Sequence, residues 1–129
     1  MSGRILVVDD LLPNIKLLEA KLSAEYYDVT STRSGLQALK LVEDNSFDII
    51  LLDVMMPEMD GFEVCRRLKS NPQTAAIPVI MVTALSEVQD RINGLQAGAD
   101  DFLTKPINEL ALLARIRSLL RLKAMTDEL

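Results

Sequence analysis

Hydrophobic and polar positions follow two alternating patterns along this chain, and together they predict a repeated strand–helix order. Four short apolar runs are separated by stretches with helical spacing, which is typical of buried parallel strands. A fifth run, residues 27–32, is more polar and is expected near a sheet edge. The four apolar runs are residues 5–8, 49–52, 79–82 and 102–104.

Between these runs, apolar residues recur every three or four positions, as in helices with one buried face. The first such stretch ends near residue 24 and places Ile15, Leu18 and Leu22 on one face. Each helical stretch begins at a proline or at a side chain that can cap a helix, and Gly98 is suited to end the fourth. In chain order, the residues at these starts are Pro13, Ser34, Asp60, Ser86 and Asn108.

Five strands alternating with five helices predict an α/β protein with a five-stranded parallel sheet. Parallel strands need crossover connections, and right-handed crossovers place helices on both faces of the sheet, which gives three layers. The length of 129 residues fits one domain. The order of the strands does not follow from these patterns.

Residues that could handle a phosphoryl group follow four of the five predicted strands. In an open α/β sheet, ligands bind outside the carboxyl ends of the strands, so these side chains should meet at one edge. Three carboxylates held close together repel one another, and oxygen ligands favour Mg²⁺ or Mn²⁺ as the counter-charge. The residues are Asp9 and Asp10 after the first strand, Asp53 after the third, Thr83 after the fourth and Lys105 after the fifth.

The same residues suit phosphoryl transfer to a carboxylate, which needs an in-line approach and neutralisation of charge on the phosphoryl oxygens. Asp53 stands alone at its strand end and is the expected acceptor, whereas Asp9 and Asp10 are paired for the cation. Lys105 supplies a positive charge and Thr83 a hydrogen-bond donor. Each residue taken singly has a structural explanation, but the ordered set favours the functional interpretation.

The amino-acid composition argues against several other functions. A formal charge of -5 disfavours binding to nucleic acid or to an anionic membrane. The chain has no histidine, which excludes Ser-His-Asp, Cys-His and His-zinc chemistry, and its single cysteine, Cys65, is expected in the core. No stretch has the length of a membrane span or the pattern of a signal peptide, so we expect a cytoplasmic location.

The ordered motifs resemble the receiver domain of two-component response regulators over essentially the whole chain. The segments that carry this resemblance are residues 7–10, 51–61, 82–84 and 98–106. The resemblance implies a flavodoxin-like fold with strand order 2-1-3-4-5. It also implies that Asp53 accepts a phosphoryl group from a histidine kinase or a histidine phosphotransfer protein.

The resemblance further implies the role of each site residue. The expected Mg²⁺ ligands are Asp9, Asp10, Asp53 and the backbone carbonyl of Met55, while Thr83 and Lys105 contact the phosphoryl group. Thr83 and Phe102 are implied as a coupled switch, and Pro106 has a structural role. A transient, phosphorylation-dependent homodimer is expected through the fourth helix, fifth strand and fifth helix. The charged residues expected in that interface are Arg91, Asp101, Arg115 and Arg117.

In closer detail, the chain is similar to the first receiver of PleD-type regulators, whose output is a diguanylate cyclase. This likeness is carried by residues 5–10, 17–22, 24–27 and 101–107. No cyclase motif follows, so we assign residues 1–124 to the receiver and 125–129 to a tail or the start of a linker. The chain itself is expected not to be an enzyme, apart from slow self-dephosphorylation.

Three other classes fit the sequence less well. A haloacid-dehalogenase hydrolase would need a second carboxylate two positions after its nucleophile, where this chain has Met55. In a flavodoxin, Asp9 and Asp10 would repel the flavin phosphate, and a nucleotide-binding domain would need glycine-rich motifs that are missing here. The remaining alternative is a degenerate receiver that acts as an unphosphorylated interaction module, against which the intact acceptor set argues.

Overall fold

Five strands alternate with five helices in the computed structural model, which describes residues 3–127. α5 continues past residue 124 without a break, and the boundary expected there stays a prediction. None of the described helices is long and apolar enough to cross a membrane, and the cytoplasmic location likewise stays a prediction. The elements are β1 (Arg4–Val8), α1 (Leu12–Ala24), β2 (Asp28–Thr32), α2 (Gly35–Asp44), β3 (Ile49–Leu52), α3 (Gly61–Ser70), β4 (Val79–Thr83), α4 (Val88–Gln96), β5 (Asp101–Thr104) and α5 (Glu109–Asp127).

The five strands form one parallel sheet in the order β2-β1-β3-β4-β5, which confirms the order implied by the resemblance. β1 and β3 are neighbours, with Val8 in register with Leu52. Asp9 and Asp53 therefore follow adjacent strand ends. β2 lies at an edge of the sheet, and only Thr32 among its residues is buried, as its polar sequence predicted.

Side chains of β1 alternate between two hydrophobic cores on opposite faces of the sheet. Ile5 and Val7 pack in the core that contains the buried residues of α1 and α5. Leu6 and Val8 pack in the core that contains the buried residues of α2 and α3. Because both faces are covered, the central strands are apolar at every position. This arrangement confirms the three-layer α/β architecture.

Side-chain caps fix most of the helix starts where the sequence predicted them. Ser34 Oγ accepts a hydrogen bond from the Gln37 amide at 3.3 Å, and Asn108 Oδ1 accepts one from the Ala111 amide at 3.0 Å. Asp60 caps α3 in the same way. These side chains satisfy amide groups that have no partner within the helix.

The prediction for the start of α4 was wrong by one residue. Glu87, rather than Ser86, is the N-cap, because Asp90 is placed to accept a hydrogen bond from the Glu87 amide at 3.1 Å. The end of α4 agrees with the prediction. Gly98 has a φ of +98°, and a side chain there would collide with Lys69, so the position requires glycine.

Candidate functional site

The carboxyl edge of the sheet brings the predicted acidic residues together. Asp9 and Asp10 follow β1 and Asp53 follows β3, the neighbouring strand. One carboxylate oxygen from each of these residues lies within 4.8 Å of the others. Asp9 and Asp53 are buried, with 3% and 5% of their surface exposed, while Asp10 is partly exposed.

Lys105 connects two of the three carboxylates. Its Nζ lies 2.8 Å from Asp9 Oδ2 and 3.6 Å from Asp53 Oδ2. The Lys105 side chain is only 20% exposed, so these contacts are partly shielded from water. The ammonium group therefore offsets part of the negative charge of the three adjacent carboxylates.

Both carboxylate oxygens of Asp9 are held by hydrogen bonds. Oδ1 accepts one from the Leu11 amide at 2.9 Å, and Oδ2 accepts one from the Asn14 side-chain amide at 3.3 Å. Oδ2 also accepts the Lys105 hydrogen bond. The donors at Leu11 and Asn14 lie at the beginning of α1, where the helix dipole favours negative charge. Asp9 is thus fixed in position from two directions.

Asp53 is held by fewer contacts. Its Oδ1 accepts one long hydrogen bond, 3.4 Å, from the Met55 amide. Burial raises the pKa of Asp53 above its ordinary value, and the charge of Asp9 also raises it, whereas Lys105, the Met55 amide and a hydrogen bond with the Thr83 side chain act in the opposite direction. An Asp53 carboxylate without an added cation is therefore less favourable than one in water.

The three carboxylates fit a Mg²⁺ ion. In an octahedral Mg²⁺ site, adjacent ligand oxygens lie about 3.0 Å apart and opposite ones about 4.2 Å apart, so three oxygens within 4.8 Å of one another are close enough to converge on one ion. The ligand set is oxygen alone, which suits hard cations. Such a cluster is a typical magnesium site.

The loop that follows Asp53 folds back onto this strand end. The Gly61 amide donates a hydrogen bond to the Val54 carbonyl at 2.9 Å, and α3 begins at Gly61. A side chain at Gly61 would collide with the backbone of Asp53 and Val54. The Asp60–Gly61 pair therefore both caps α3 and lets the helix approach the Asp53 backbone closely.

Thr83, the last residue of β4, is fully buried. Its Oγ1 accepts a hydrogen bond from the Leu85 amide at 3.3 Å, and its carbonyl accepts one from the Lys105 amide at 2.8 Å. The backbone thus ties the end of β4 to Lys105. Pro106 follows Lys105 through a cis peptide bond.

Phe102, on β5, shares the sheet face of Thr83 because its register partner Met81 lies two residues before Thr83. The Phe102 ring is buried against α4, and a side chain at Gly94 would come within 2.9 Å of it. The Arg91 guanidinium carbon lies 5.5 Å from the ring centroid. In this structure the ring therefore fills the space between the sheet and α4.

Two residues near the site were missed by the sequence analysis. Arg33 donates to the Asp10 carbonyl from Nε at 3.1 Å and from Nη2 at 2.9 Å. Arg33 directly follows β2, so the rule applied to the other strand ends would have found it. Asn14 had no comparable signal, because its role depends on how α1 is placed against Asp9.

Comparison with known proteins identifies the family of this chain. The profile described as a response regulator receiver domain matches residues 5–117. The chain is similar to the response regulator PleD of Caulobacter vibrioides, with 59% identity over 129 residues that cover 100% of this chain and 28% of that protein. It thus spans little more than a quarter of that relative's length.

Solved structures agree with this match. The signal receiver domain of a signal transduction histidine kinase from Syntrophus aciditrophicus has a TM-score of 0.87 and 39% identity, covering 92% of this chain and 90% of that one. The receiver domain of the sensor histidine kinase PA1611 from Pseudomonas aeruginosa PAO1 has a TM-score of 0.86 and 32% identity, covering 93% and 98%. That crystal structure has a magnesium ion coordinated in its active site cleft.

The expected likeness to PleD-type regulators and the flavodoxin-like strand order are both confirmed. An acidic cluster at the carboxyl edge of such a sheet is also where a magnesium-dependent phosphoacceptor needs its charges. On its sequence, its fold and its site together, the chain belongs to the response regulator receiver domains, the phosphoacceptor modules of two-component systems.

Proposed function

We propose that Asp53 accepts a phosphoryl group from a phosphohistidine of a histidine kinase or histidine phosphotransfer protein. The observation that carries this proposal is the difference between the two buried carboxylates. Both oxygens of Asp9 accept hydrogen bonds shorter than 3.4 Å, whereas the contacts of Asp53 are longer or weaker: the Met55 amide at 3.4 Å, the Lys105 ammonium at 3.6 Å and the Thr83 hydroxyl. Asp53 is thus the less firmly held of the two buried carboxylates, and the one better able to act as a nucleophile.

The transfer follows from these positions. Asp53 Oδ2 forms a bond to phosphorus while the phosphorus–nitrogen bond of the donor breaks, and its electron pair returns to the donor imidazole. Lys105 and Thr83 are placed to neutralise or hydrogen-bond the phosphoryl oxygens as negative charge redistributes. Both residues are anchored at the ends of neighbouring strands, so their positions are set before the donor arrives.

Mg²⁺ is the cofactor that fits this site, and Mn²⁺ is the alternative. Asp9, Asp10, Asp53 and the Met55 carbonyl would hold it. When bound, the ion supplies positive charge to a phosphoryl oxygen and lowers the repulsion among the carboxylates. The magnesium ion in the receiver of PA1611 supports this assignment.

Thr83 and Phe102 form the proposed switch. A phosphoryl group on Asp53 would draw the Thr83 hydroxyl toward it, and the Phe102 ring would fill the space that the hydroxyl leaves. The group can shift the equilibrium only by its different affinity for the two conformations. Thr83→Ala is therefore expected to keep phosphorylation and to lose most of the conformational response.

We propose residues 1–124 as the receiver and 125–129 as a tail or the start of a linker to an output domain, a diguanylate cyclase by analogy with PleD. The proposed transient dimer uses α4, β5 and α5. Arg115 there already pairs with Asp101 of the same chain at 3.2 Å, so a dimer would exchange or share this ion pair. Exposed pairs are individually weak, which suits a transient interface.

A labelling experiment tests the acceptor. The wild type, Asp53→Asn and Asp44→Asn are incubated with acetyl phosphate and Mg²⁺, and the intact mass is measured. The wild type and Asp44→Asn, which changes an exposed aspartate on α2, should each gain one phosphoryl group, while Asp53→Asn should gain none. Chelation of Mg²⁺ should abolish labelling. Label that persists in Asp53→Asn contradicts the assignment, and an unlabelled wild type favours an interaction module.

A further inference from the structure

Arg33 binds the backbone beside the acidic cluster from the end of a neighbouring strand. It directly follows β2, and its Nε and Nη2 both donate to the Asp10 carbonyl, at 3.1 and 2.9 Å. The residue before it, Thr32, accepts a hydrogen bond from the Asp9 amide at 3.2 Å through its carbonyl. The end of β2 therefore holds the backbone of both aspartates that follow β1.

The peptide unit that joins Asp10 to Leu11 is held on both sides. Its carbonyl oxygen accepts from the Arg33 guanidinium, and its N–H donates to Asp9 Oδ1 at 2.9 Å. A positive charge thus lies at the oxygen of this peptide unit and a negative charge at its hydrogen, and both hydrogen bonds are charge-assisted. Because hydrogen bonds in such a chain polarise one another, the Arg33 contact strengthens the bond from the Leu11 amide to Asp9.

Arg33 leaves the carboxylates themselves available. Within residues 3–127, its guanidinium has no carboxylate oxygen within 4.0 Å, and the Asp10 carboxylate has no hydrogen-bond donor. Arg115 behaves differently, since it pairs directly with the Asp101 carboxylate at 3.2 Å. The position of the Asp10 carboxylate therefore depends on its backbone, which Arg33 restrains.

We propose that Arg33 is a positioning residue for the Mg²⁺ ligands Asp9 and Asp10, an inference that rests on the proposed Mg²⁺ site. By restraining the peptide unit between Asp10 and Leu11, Arg33 fixes the placement of the two carboxylates before a cation arrives. Less of this connection is left to be ordered on binding, which favours the bound state. Arg33 acts through the peptide unit and not by contact with the ion.

The charge of Arg33 acts in the opposite direction. A guanidinium beside the site repels a cation, so its charge alone weakens Mg²⁺ binding. Because Arg33 is exposed, salt screens this repulsion, whereas salt does not remove the restraint on the peptide unit. Substitutions at residue 33 therefore separate the two effects: loss of the restraint weakens Mg²⁺ binding, and loss of the charge alone tightens it.

Titration of the chain with Mg²⁺, followed by amide NMR spectra, tests the inference. Arg33→Met removes the charge and both hydrogen bonds, whereas Arg33→Lys keeps the charge and lacks the planar fork that makes both bonds. Both variants should raise the Mg²⁺ dissociation constant roughly 2- to 10-fold, the range expected for one hydrogen bond. Relative to the wild type, the effect of Arg33→Met should grow at high KCl concentration.

Arg121→Met is the matched control for the loss of one positive charge. Arg121 is exposed on α5, next to Leu120, which lies beside Gly3 at the opposite edge of the sheet from the site. This variant should bind Mg²⁺ as the wild type does, because a screened charge at that distance contributes little.

Amide hydrogen exchange in EDTA supplies a readout that needs no cation. The Leu11 amide should exchange roughly 2- to 10-fold faster in Arg33→Met than in the wild type, while the amides of β1 and β3 keep their rates. A role in general stability would instead speed exchange throughout the sheet and lower Tm, and that result would overturn the positioning role.

Other outcomes separate the inference from the proposed function. Tighter Mg²⁺ binding in Arg33→Met with unchanged binding in Arg33→Lys would show that only the charge of Arg33 matters, which overturns the inference. Wild-type exchange of the Leu11 amide in Arg33→Met overturns it as well, and both results leave the proposed function standing. A wild type whose spectrum does not respond to Mg²⁺ would overturn the proposed cofactor, and this inference with it.

Discussion

Two lysines of this protein are almost equally shielded from water, but their partners differ. Lys69, on α3, has 19% of its side chain exposed, and Lys105 has 20%. Lys69 Nζ donates to the Ala75 carbonyl at 3.1 Å, the Ile77 carbonyl at 2.8 Å and Asp100 at 3.0 Å. Lys105 Nζ has two carboxylates, Asp9 at 2.8 Å and Asp53 at 3.6 Å.

The difference shows that the partners of a buried lysine indicate whether its role is structural or functional. The three donors of Lys69 meet three acceptors, and two of these are backbone carbonyls that cannot move without disturbing the fold. Asp100 is fixed as well, since its carboxylate accepts from the Val79 amide at 2.8 Å. The partners of Lys105 are side chains whose charge can be taken over by a cation or a phosphoryl group, so its contacts can be exchanged.

The cysteine near Lys69 is also chemically unreactive. Cys65 is fully buried on α3, as the sequence predicted. Burial raises the pKa of its thiol to about 11; the charge of Lys69 lowers this pKa slightly, and that of Asp100 raises it slightly. A thiol with this pKa stays protonated at neutral pH and is a poor nucleophile.

The largest expected difference between the two lysines is in the phosphorylation rate. Lys105→Met should slow labelling by acetyl phosphate about 100-fold, the usual cost of removing one group that stabilises transition-state charge. Lys69→Met should change the rate less than about twofold, since Lys69 lies outside the site. Time courses of intact mass, with folding checked by circular dichroism, measure both. Equal slowing in the two variants would remove the functional distinction between them.

Magnesium binding gives the next largest difference. Lys105 repels a cation and also occupies Asp9 Oδ2, so Lys105→Met should tighten Mg²⁺ binding about tenfold. Lys69→Met should leave the affinity unchanged but lower the free energy of unfolding by about 2 kcal/mol, because Asp100 and two carbonyls lose their donor. Calorimetric titration and urea unfolding check the two effects. Weaker Mg²⁺ binding in Lys105→Met would show that the lysine helps to assemble the site.

The smallest expected effect is on how the free energy of unfolding depends on pH through the aspartates beside the two lysines. The folded pKa of Asp53 is raised above its unfolded value, so the folded protein binds more protons between the two values. Without Mg²⁺, the free energy of unfolding should therefore fall as pH rises from about 3.9, the ordinary aspartate pKa, through the raised one. At neutral pH the free energy of unfolding should therefore be lower than at about pH 3.9.

Neutral substitutions of the two aspartates make this measurable. In EDTA at pH 7, Asp53→Asn should unfold at a higher temperature than the wild type, whereas Asp100→Asn should unfold at a lower one, since it weakens the pair with Lys69. At pH 3, where both forms of residue 53 are neutral, the Asp53→Asn difference should shrink. A less stable Asp53→Asn at pH 7 would mean that the surrounding donors outweigh the burial of the charge.

The sequence alone predicted the five strands, the sheet edge at which Asp9, Asp10, Asp53, Thr83 and Lys105 meet, and most of the helix caps. These features were predictable because apolar periodicity sets which elements form, and the parallel order places every strand end on one side. The start of α4 was missed because Ser86 and Glu87 offer capping patterns one residue apart, and local preference does not choose between them.

The tertiary structure decided which atoms share which hydrogen bonds. Asn14 reaches the site through the placement of α1 against Asp9. Hydrogen bonds depend on tenths of an ångström between residues far apart in the chain, whereas strands and helices depend on residues close together in it.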